Sequence, residues 1–423
     1  MANSKFYKYL FLLTLVLLCS SCKASTEDEK AMQQMVERLF PEYASQFSFE
    51  QSEKIATKDW YEIETKGGTV QIRGNNANSM AVGLNYYLNH CCLTPVSWYV
   101  NDEVEMPEVL PMLPTKITST ARCENRFFLN YCTFGYTMPW WTWKDWERLI
   151  DWMALNGVNM PLAITGQESV WYRVWTKLGL TDEEIRNYFT GPAHLPWHRM
   201  SNLDYWQGPL PKEWLDTQEA LQKQIVARER QFNMRPILPA FAGHVPAELK
   251  RIYPEAKISR MSPWGGFEDK YRSHFLDPLD PLFTTIQKEF LEEQTKLFGT
   301  DNIYGADPFN EVAPPCWEPE FLANCSKHIY QSITHVDPDA TWLQMTWLFY
   351  IDRHLWTNER VEAFLKAVPQ GKLLLLDYYC ENTEVWKQTD SYFGQPYLWC
   401  YLGNFGGNTM LAGNTKEVGK RIE

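Results

Sequence analysis

Apolar positions in the first quarter of the chain alternate between two spacings. Ala31–Phe47 carries them at helical intervals, and Ala77–His90 does so again, with Met80, Leu84, Tyr87 and Leu88 on one face. Between these lie two strand-like runs, Trp60–Thr65 and Thr69–Arg73, joined by Lys66-Gly67-Gly68, a hairpin signal. Together they describe a small α/β domain over residues 24–115, ending in the proline-punctuated Met106–Pro114. From about Arg122 the rhythm becomes strand then helix, the pattern of a parallel sheet. Strands are expected near Arg126–Thr133, Val158–Thr165, Arg235–Phe241, Ile303–Phe309, Thr341–Trp347, Leu373–Tyr379 and Tyr397–Leu402. Helices are expected at Trp143–Leu155, Glu213–Phe232, Pro281–Phe298, Glu318–Val336 and Asn358–Ala367. The fold class is therefore α/β: a (β/α)8-type TIM barrel over residues 116–423, preceded by the small α/β domain. An eighth strand has no sequence left to form it, so the barrel is expected to be C-terminally incomplete, with two open edges.

The longest connections follow the second, third and fourth of these strands. Gly166–Pro211 reads as a connection of roughly 45 residues, rich in Trp, His, Gly and Pro, and connections that long are usually functional. All of them follow strand C-termini, the face of a barrel where catalytic groups sit.

Composition narrows the functional classes. A chain of 423 residues suggests two or three domains, and 45% hydrophobic with 22% charged residues is the balance of a globular protein. The net charge of −12, without a Lys/Arg cluster, argues against a nucleic acid partner and against acidic substrates. Residues 1–22 read as an export signal of lipoprotein type. Lys5 and Lys8 precede an apolar run, Tyr9–Cys19, too short to span a bilayer comfortably, and Ser20-Ser21-Cys22 follows. Cys22 is the expected lipidation site and Ala24–Lys30 a short tether, which makes the protein an exported, membrane-anchored bacterial lipoprotein of the periplasm or cell surface. The eight cysteines beyond it show no metal-ligand spacing and the eight histidines do not cluster near them, so no metal is expected and buried thiols are the default. No Walker loop, dinucleotide fingerprint, His-Glu-x-x-His or nucleophile elbow occurs, and no cofactor is expected.

Chemistry concentrates at strand ends. In Ile303-Tyr-Gly-Ala-Asp-Pro-Phe-Asn-Glu311 an apolar run ends in an amide beside a carboxylic acid. Glu311 suits protonation of a glycosidic oxygen, and Asn310 suits a sugar hydroxyl or acetamido group. The alternative for Glu311 is capping of the next helix or pairing with a lysine. To begin protonated it needs an apolar wall or a neighbouring anion, and Trp264 and Trp347 are candidates for the wall. Asn130, Cys132 and Tyr136 end the first barrel strand, and period-two alternation puts Asn130 and Cys132 on one face, as site residues or as core. Trp197 and Trp264 lie on loops, where an indole face stacks on pyranose C–H groups or anchors the loop. His244 is open between ligand contact and structural histidine. Glu168 reads as a helix cap, and Asp377 and Glu381 are the in-chain candidates for a second carboxylate.

The runs Trp152-Met-Ala-Leu-Asn-Gly157, Phe189-Thr-Gly-Pro-Ala193, Pro239-Ala-Phe-Ala-Gly-His-Val-Pro246, Tyr304-Gly-Ala-Asp-Pro-Phe-Asn-Glu311 and Asn404-Phe-Gly-Gly-Asn408 closely resemble the α-N-acetylglucosaminidases, glycoside hydrolase family 89. The resemblance spans essentially everything after the signal segment. It implies exo-hydrolysis of terminal α-linked N-acetylglucosamine from a glycan, with retention, through a covalent glycosyl-enzyme. It implies an acid/base at Glu311, with Asn130, Cys132, Trp197, Trp264 and Trp347 in the sugar pocket and Asn310 beside the acid. It also implies a nucleophilic glutamate after the Asn404–Asn408 motif and a C-terminal helical domain. Nothing downstream matches that glutamate, since Glu417 and Glu423 sit in a Lys-rich tail. The expectation is an enzyme sequence in truncated form, without turnover as this 423-residue polypeptide; the alternative is a non-catalytic, sugar-binding remnant of such an enzyme.

Overall fold

A computed structural model describes residues 24–53, 57–100, 104–403 and 415–422. The segment 1–22 with Cys22, and the motif Asn404–Asn408, lie outside the described residues. The chain divides into two units, Met1–Pro95 with Asp102–Arg122, and Val96–Asn101 with Cys123–Glu423. No helix among the described residues is long and apolar enough to cross a membrane.

The first unit is a four-stranded sheet backed by two helices. Its strands are β1 (Phe47–Gln51), β2 (Trp60–Lys66), β3 (Thr69–Gly74) and β4 (Ile117–Thr120), in the order β1-β3-β2-β4. β2 and β3 form the expected hairpin, closing at Lys66 and Thr69. The helix expected over 31–47 instead runs Glu27–Leu39, opened by a Thr26–Glu29 capping box. Pro41, which has no N–H and clashes with the preceding turn, starts a separate short 3-10 helix. Phe47–Gln51 then pairs in parallel with β3. β4 pairs antiparallel with β2, so this unit runs past residue 115. Met32, Met35 and Val36 of the first helix, Met80 and Leu84 of the helix Ala77–Tyr87, and Ile63, Val70 and Ile72 of the sheet are fully buried.

The second unit carries strands β5 (Phe127–Phe128), β6 (Met160–Pro161), β7 (Leu238–Pro239), β8 (His244–Val245), β9 (Ile258–Arg260) and β10 (His274–Leu276), followed by β11 (Ile303–Gly305), β12 (Thr341–Met345), β13 (Leu373–Asp377) and β14 (Tyr397–Trp399). β7, β11, β12, β13 and β14 form one parallel sheet in chain order. β5 pairs in parallel with β6, and a parallel bridge from Leu162 to Ile237 carries the order on to β7. The seven expected barrel strands are thus neighbours in sequence order, with helices Trp143–Leu155, Lys212–Gln231, Pro281–Phe298, Pro319–Thr334 and Asn358–Lys366 between them. All five residues of β13, Leu373-Leu-Leu-Leu-Asp377, are buried, as a parallel strand covered on both faces requires. No ladder joins β5 to β14 among the described residues.

The hydrogen-bonded strands are shorter than the apolar runs, because those runs stay buried beyond the ladder: Ala306, Phe309 and Asn310 are each at most 3% exposed although β11 stops at Gly305. The connection Gly166–Pro211 is largely helical, with Gln167–Lys177, Asp182–Tyr188 and Leu195–Arg199. Its Trp175, Tyr188 and Phe189 pack into the core, so much of its aromatic content is structural. The connection after β7 folds as a small antiparallel sheet, β8-β10-β9, which carries the loop bearing Trp264.

Candidate active site

Beyond β11 the backbone turns twice through the left-handed region, at Phe309 (φ 62°) and Glu311 (φ 53°). For such residues this conformation costs roughly 1–2 kcal/mol each, and it persists only where surroundings enforce it. Phe309 is anchored against Phe275, ring centres 5.4 Å apart, and Asp307 accepts a 2.7 Å hydrogen bond from Met345 N at the end of β12. These contacts turn Glu311 into a cavity of about 180 Å³ at the C-terminal ends of the strands.

Asn130, Cys132, Trp197, Trp264, Asn310, Glu311 and Trp347 all line this cavity. Tyr131, Met200, Met345, Tyr378 and Leu402 also line it; sequence patterning did not single these out. Tyr136 does not line it. Its buried hydroxyl instead meets the Cys132 thiol. Burial, reinforced by the charge of Glu311, pushes that thiol up to about 11, so it is a neutral wall of the cavity rather than a nucleophile.

Among the described residues, the Glu311 carboxylate meets three donors. Trp347 Nε1 donates to Oε1 at 2.8 Å; Trp264 Nε1 and Asn202 Nδ2 donate to Oε2 at 2.8 and 3.1 Å. The two indoles therefore face the acid with their N–H edges, not as the apolar wall expected of them. Trp264 is flanked by Trp197 and Phe267 at 6.5 and 6.1 Å between ring centres, and Trp347 by Tyr350 at 5.1 Å. Asn310 is 3% exposed and its Oδ1 has no hydrogen-bond partner among the described residues, an acceptor left open at the cavity. Among the described residues, Glu311 is the one carboxylate in the lining.

Asn130 and Cys132 reach the cavity by a different route from strand alternation. β5 ends at Phe128, Leu129 adopts φ 79°, and Cys132–Gly135 is a 3-10 turn whose Thr133 N donates to Asn130 Oδ1 at 3.1 Å. Gly135 lets this turn approach the helix Leu195–Arg199: a Cβ there would sit 2.8 Å from the Pro196 ring and 3.2 Å from Trp197.

The other candidates lie elsewhere. Glu168 is no cap; it makes a bidentate pair with Arg199, Oε1 to Nε at 2.7 Å and Oε2 to Nη2 at 2.9 Å, with side chains 3% and 8% exposed. Asp377 is buried away from the lining, which raises its carboxyl above the usual range, and Oδ2 accepts from Trp386 N at 3.0 Å. Glu381 accepts from Leu402 N at 3.1 Å and Gly403 N at 2.6 Å, holding the chain where it leaves β14. His244 Nε2 donates to the wholly buried Asp204 at 2.7 Å, and His198 Nδ1 lies 3.1 Å from the same oxygen and 3.1 Å from Leu203 O. Burial opposes ionisation of Asp204, but the two imidazoles outweigh it and hold its carboxyl below the usual range. The ligand atoms of His198, Asp204 and His244 lie within 4.8 Å of one another, as a cation requires. The 2.7 and 3.1 Å separations and the Leu203 carbonyl beside His198 Nδ1 fit two N–H donors on one carboxylate better. Behind Tyr131 and Met200, which line both spaces, a second cavity of about 50 Å³ is bounded by Glu168, Arg199, His198, His244 and Asp307.

Comparison with known proteins follows the same division of the chain. The α-N-acetylglucosaminidase (NAGLU) N-terminal domain matches residues 30–112 and the α-N-acetylglucosaminidase (NAGLU) TIM-barrel domain matches residues 126–423. Human α-N-acetylglucosaminidase is 42% identical over 413 residues, covering 95% of this chain and 56% of the human protein. Among solved structures, the family 89 glycoside hydrolase of Clostridium perfringens, in complex with 2-acetamido-1,2-dideoxynojirimycin, superposes with a TM-score of 0.83 at 30% identity, covering 92% of this chain and 43% of that one. A variant of the clostridial protein, in complex with its substrate GlcNAc-α-1,4-galactose, matches with a TM-score of 0.83 at 30% identity over 90% of this chain and 42% of that one. The chain spans about half the length of these relatives. With the barrel and the smaller domain both matched, the chain belongs to the α-N-acetylglucosaminidase family.

Proposed function

We propose that this chain carries the acid/base of a retaining exo-glycosidase that removes terminal α-linked N-acetylglucosamine from glycans. The observation that carries the reading is the Glu311 carboxylate, at the end of β11, held by three N–H donors in an indole-lined cavity. Donors from three separate segments fix the direction of the carboxyl group before substrate arrives, which removes an orientational cost from the reaction. Among the described residues, Oε2 accepts from both Trp264 and Asn202, whereas Oε1 accepts from Trp347 alone. Oε1 is thus the oxygen with a site left for the transferable proton. In the first step Glu311 gives that proton to the leaving glycosidic oxygen; in the second it takes one from the water that releases the sugar. Asn310 Oδ1 accepts from a sugar N–H or hydroxyl, and the Trp197 and Trp264 faces cover the ring. The clostridial relative's α-linked substrate supports this choice of linkage. We further propose that the protein is exported and anchored through lipid on Cys22, meeting glycans at the periplasm or cell surface.

Retention needs a second carboxylate about 5 Å from the first. Because Glu311 is the sole carboxylate in the described lining, a second reading is sugar binding without turnover. An aryl α-N-acetylglucosaminide and the disaccharide GlcNAc-α-1,4-galactose, offered to the 423-residue polypeptide and to its Glu311→Gln variant, separate the two. Hydrolysis that falls far more on the disaccharide than on the activated aryl glycoside supports the acid role, and equal loss on both counts against it. Saturable binding with no product supports the second reading. Neither binding nor cleavage refutes both.

A further inference from the structure

The segment from Trp197 to Asp204 gives Trp197 and Met200 to the cavity lining and Asn202 to Glu311, and it is tied down on both sides of Asn202 by buried charge. We propose that Asp204 is a positioning residue for Glu311: by accepting hydrogen bonds from His198 and His244 it clamps this segment so that Asn202 meets the acid. The inference rests on the glycosidase reading above for its catalytic meaning, and on geometry for its structural one.

Asp204 is 0% exposed, and a carboxylate is taken out of water at high cost unless specifically paired. Its Oδ1 accepts from His244 Nε2 at 2.7 Å and from His198 Nδ1 at 3.1 Å, joining the segment to β8 and to its own helix at once. β8 is itself fixed, because Gly243 (φ 115°) lies so close to Phe275 that a Cβ would sit 2.5 Å from the ring. At the other end Arg199 is gripped by Glu168. Between the two ties the chain folds back on itself. Ser201 is left-handed (φ 66°), Asn202 N donates to Trp197 O at 2.8 Å, and Ser273 Oγ donates to Ser201 O at 2.6 Å. Asn202 is 3% exposed and sends Nδ2 to Glu311 Oε2 at 3.1 Å. Only Leu203 separates it from the clamp, so the clamp's geometry is transmitted across a single residue.

The test uses Asp204→Asn and His244→Gln in the full chain, with Asn202→Ala as the reference. Two readouts are taken: amide hydrogen exchange over residues 197–204, and affinity for 2-acetamido-1,2-dideoxynojirimycin by calorimetry. Losing a hydrogen bond to a charged group predicts binding about tenfold to a hundredfold weaker in each single variant. The clamp further predicts faster exchange in the segment for Asp204→Asn. It also predicts that Asp204→Asn combined with Asn202→Ala binds no more weakly than Asn202→Ala alone, a non-additivity that general loosening would not produce. Unchanged exchange overturns the clamp whatever the sugar does. Additive losses overturn its action through Asn202. Faster exchange in a protein whose wild type binds no iminosugar leaves the clamp standing and sinks the glycosidase reading instead.

Discussion

Replacing Glu168 by Gln isolates one buried interaction whose cost follows from the geometry. The Glu168 and Arg199 side chains are 3% and 8% exposed and joined by two charge-assisted bonds of 2.7 and 2.9 Å. Gln keeps the shape and one acceptor but leaves the guanidinium without its counter-charge. Removing one partner of a buried pair costs about 3–5 kcal/mol, and the retained acceptor argues for the lower end, about 3 kcal/mol. The second unit has roughly 300 residues. At about 2.1 cal/mol/K of unfolding entropy per residue, its melting point should fall by about 5 °C. Scanning calorimetry of the wild type, Glu168→Gln, and the double variant Glu168→Leu with Arg199→Met reads this directly. The double variant removes both charges, so it should recover most or all of the loss. A single variant that melts with the wild type, or a double variant as unstable as the single, refutes the argument that an uncompensated buried charge sets the cost.

Three other outcomes follow from the same structure. Burial pushes the Asp307 carboxyl up to about 7, opposed by the hydrogen bond from Met345 N, against about 3.9 in an unfolded chain. Its contribution is therefore complete below pH 4 and is lost as pH rises through 7, so Asp307→Asn should gain stability over the wild type at pH 8 and little at pH 4; thermal melts at both check the sign. Trp347→Phe removes the one donor on Glu311 Oε1 among the described residues, whereas Trp264→Phe leaves Asn202 on Oε2, so calorimetric titration with the iminosugar should show the larger loss, about tenfold, for Trp347→Phe. Equal losses would contradict the division of donors. Gly243→Ala should cost about 3 kcal/mol or more in urea unfolding, because φ 115° and a ring carbon 2.5 Å from the new Cβ have no relief short of moving β8.

The alternating rhythm after Arg122 made all seven barrel strands legible, and Trp143–Leu155 and Pro281–Phe298 begin and end where their apolar spacing does. Strand ends were not legible, because the chain beyond each ladder stays as apolar and as buried as the ladder itself. β1 was hidden behind a helical pattern that Pro41 cuts short. The helices within Gly166–Pro211 were hidden by composition: Pro196, Trp197 and His198 look like loop residues until Leu195–Arg199 is seen to be a helical turn. In the site, residues at strand termini announced themselves, Glu311 and Trp347 above all. Asn202 did not, since its approach to Glu311 depends on a segment 109 residues away folding over the barrel mouth. Tyr136 was selected by proximity along the chain, and its hydroxyl is used beside Cys132 instead.

The three donors on Glu311 arrive from the connections after β6, β7 and β12, segments that have no local reason to converge. Sugar affinity should therefore emerge late in refolding, after native helix content has returned. A polypeptide halted midway, however ordered its early half, has no grip on an iminosugar, which makes such a ligand a sensor of finished assembly.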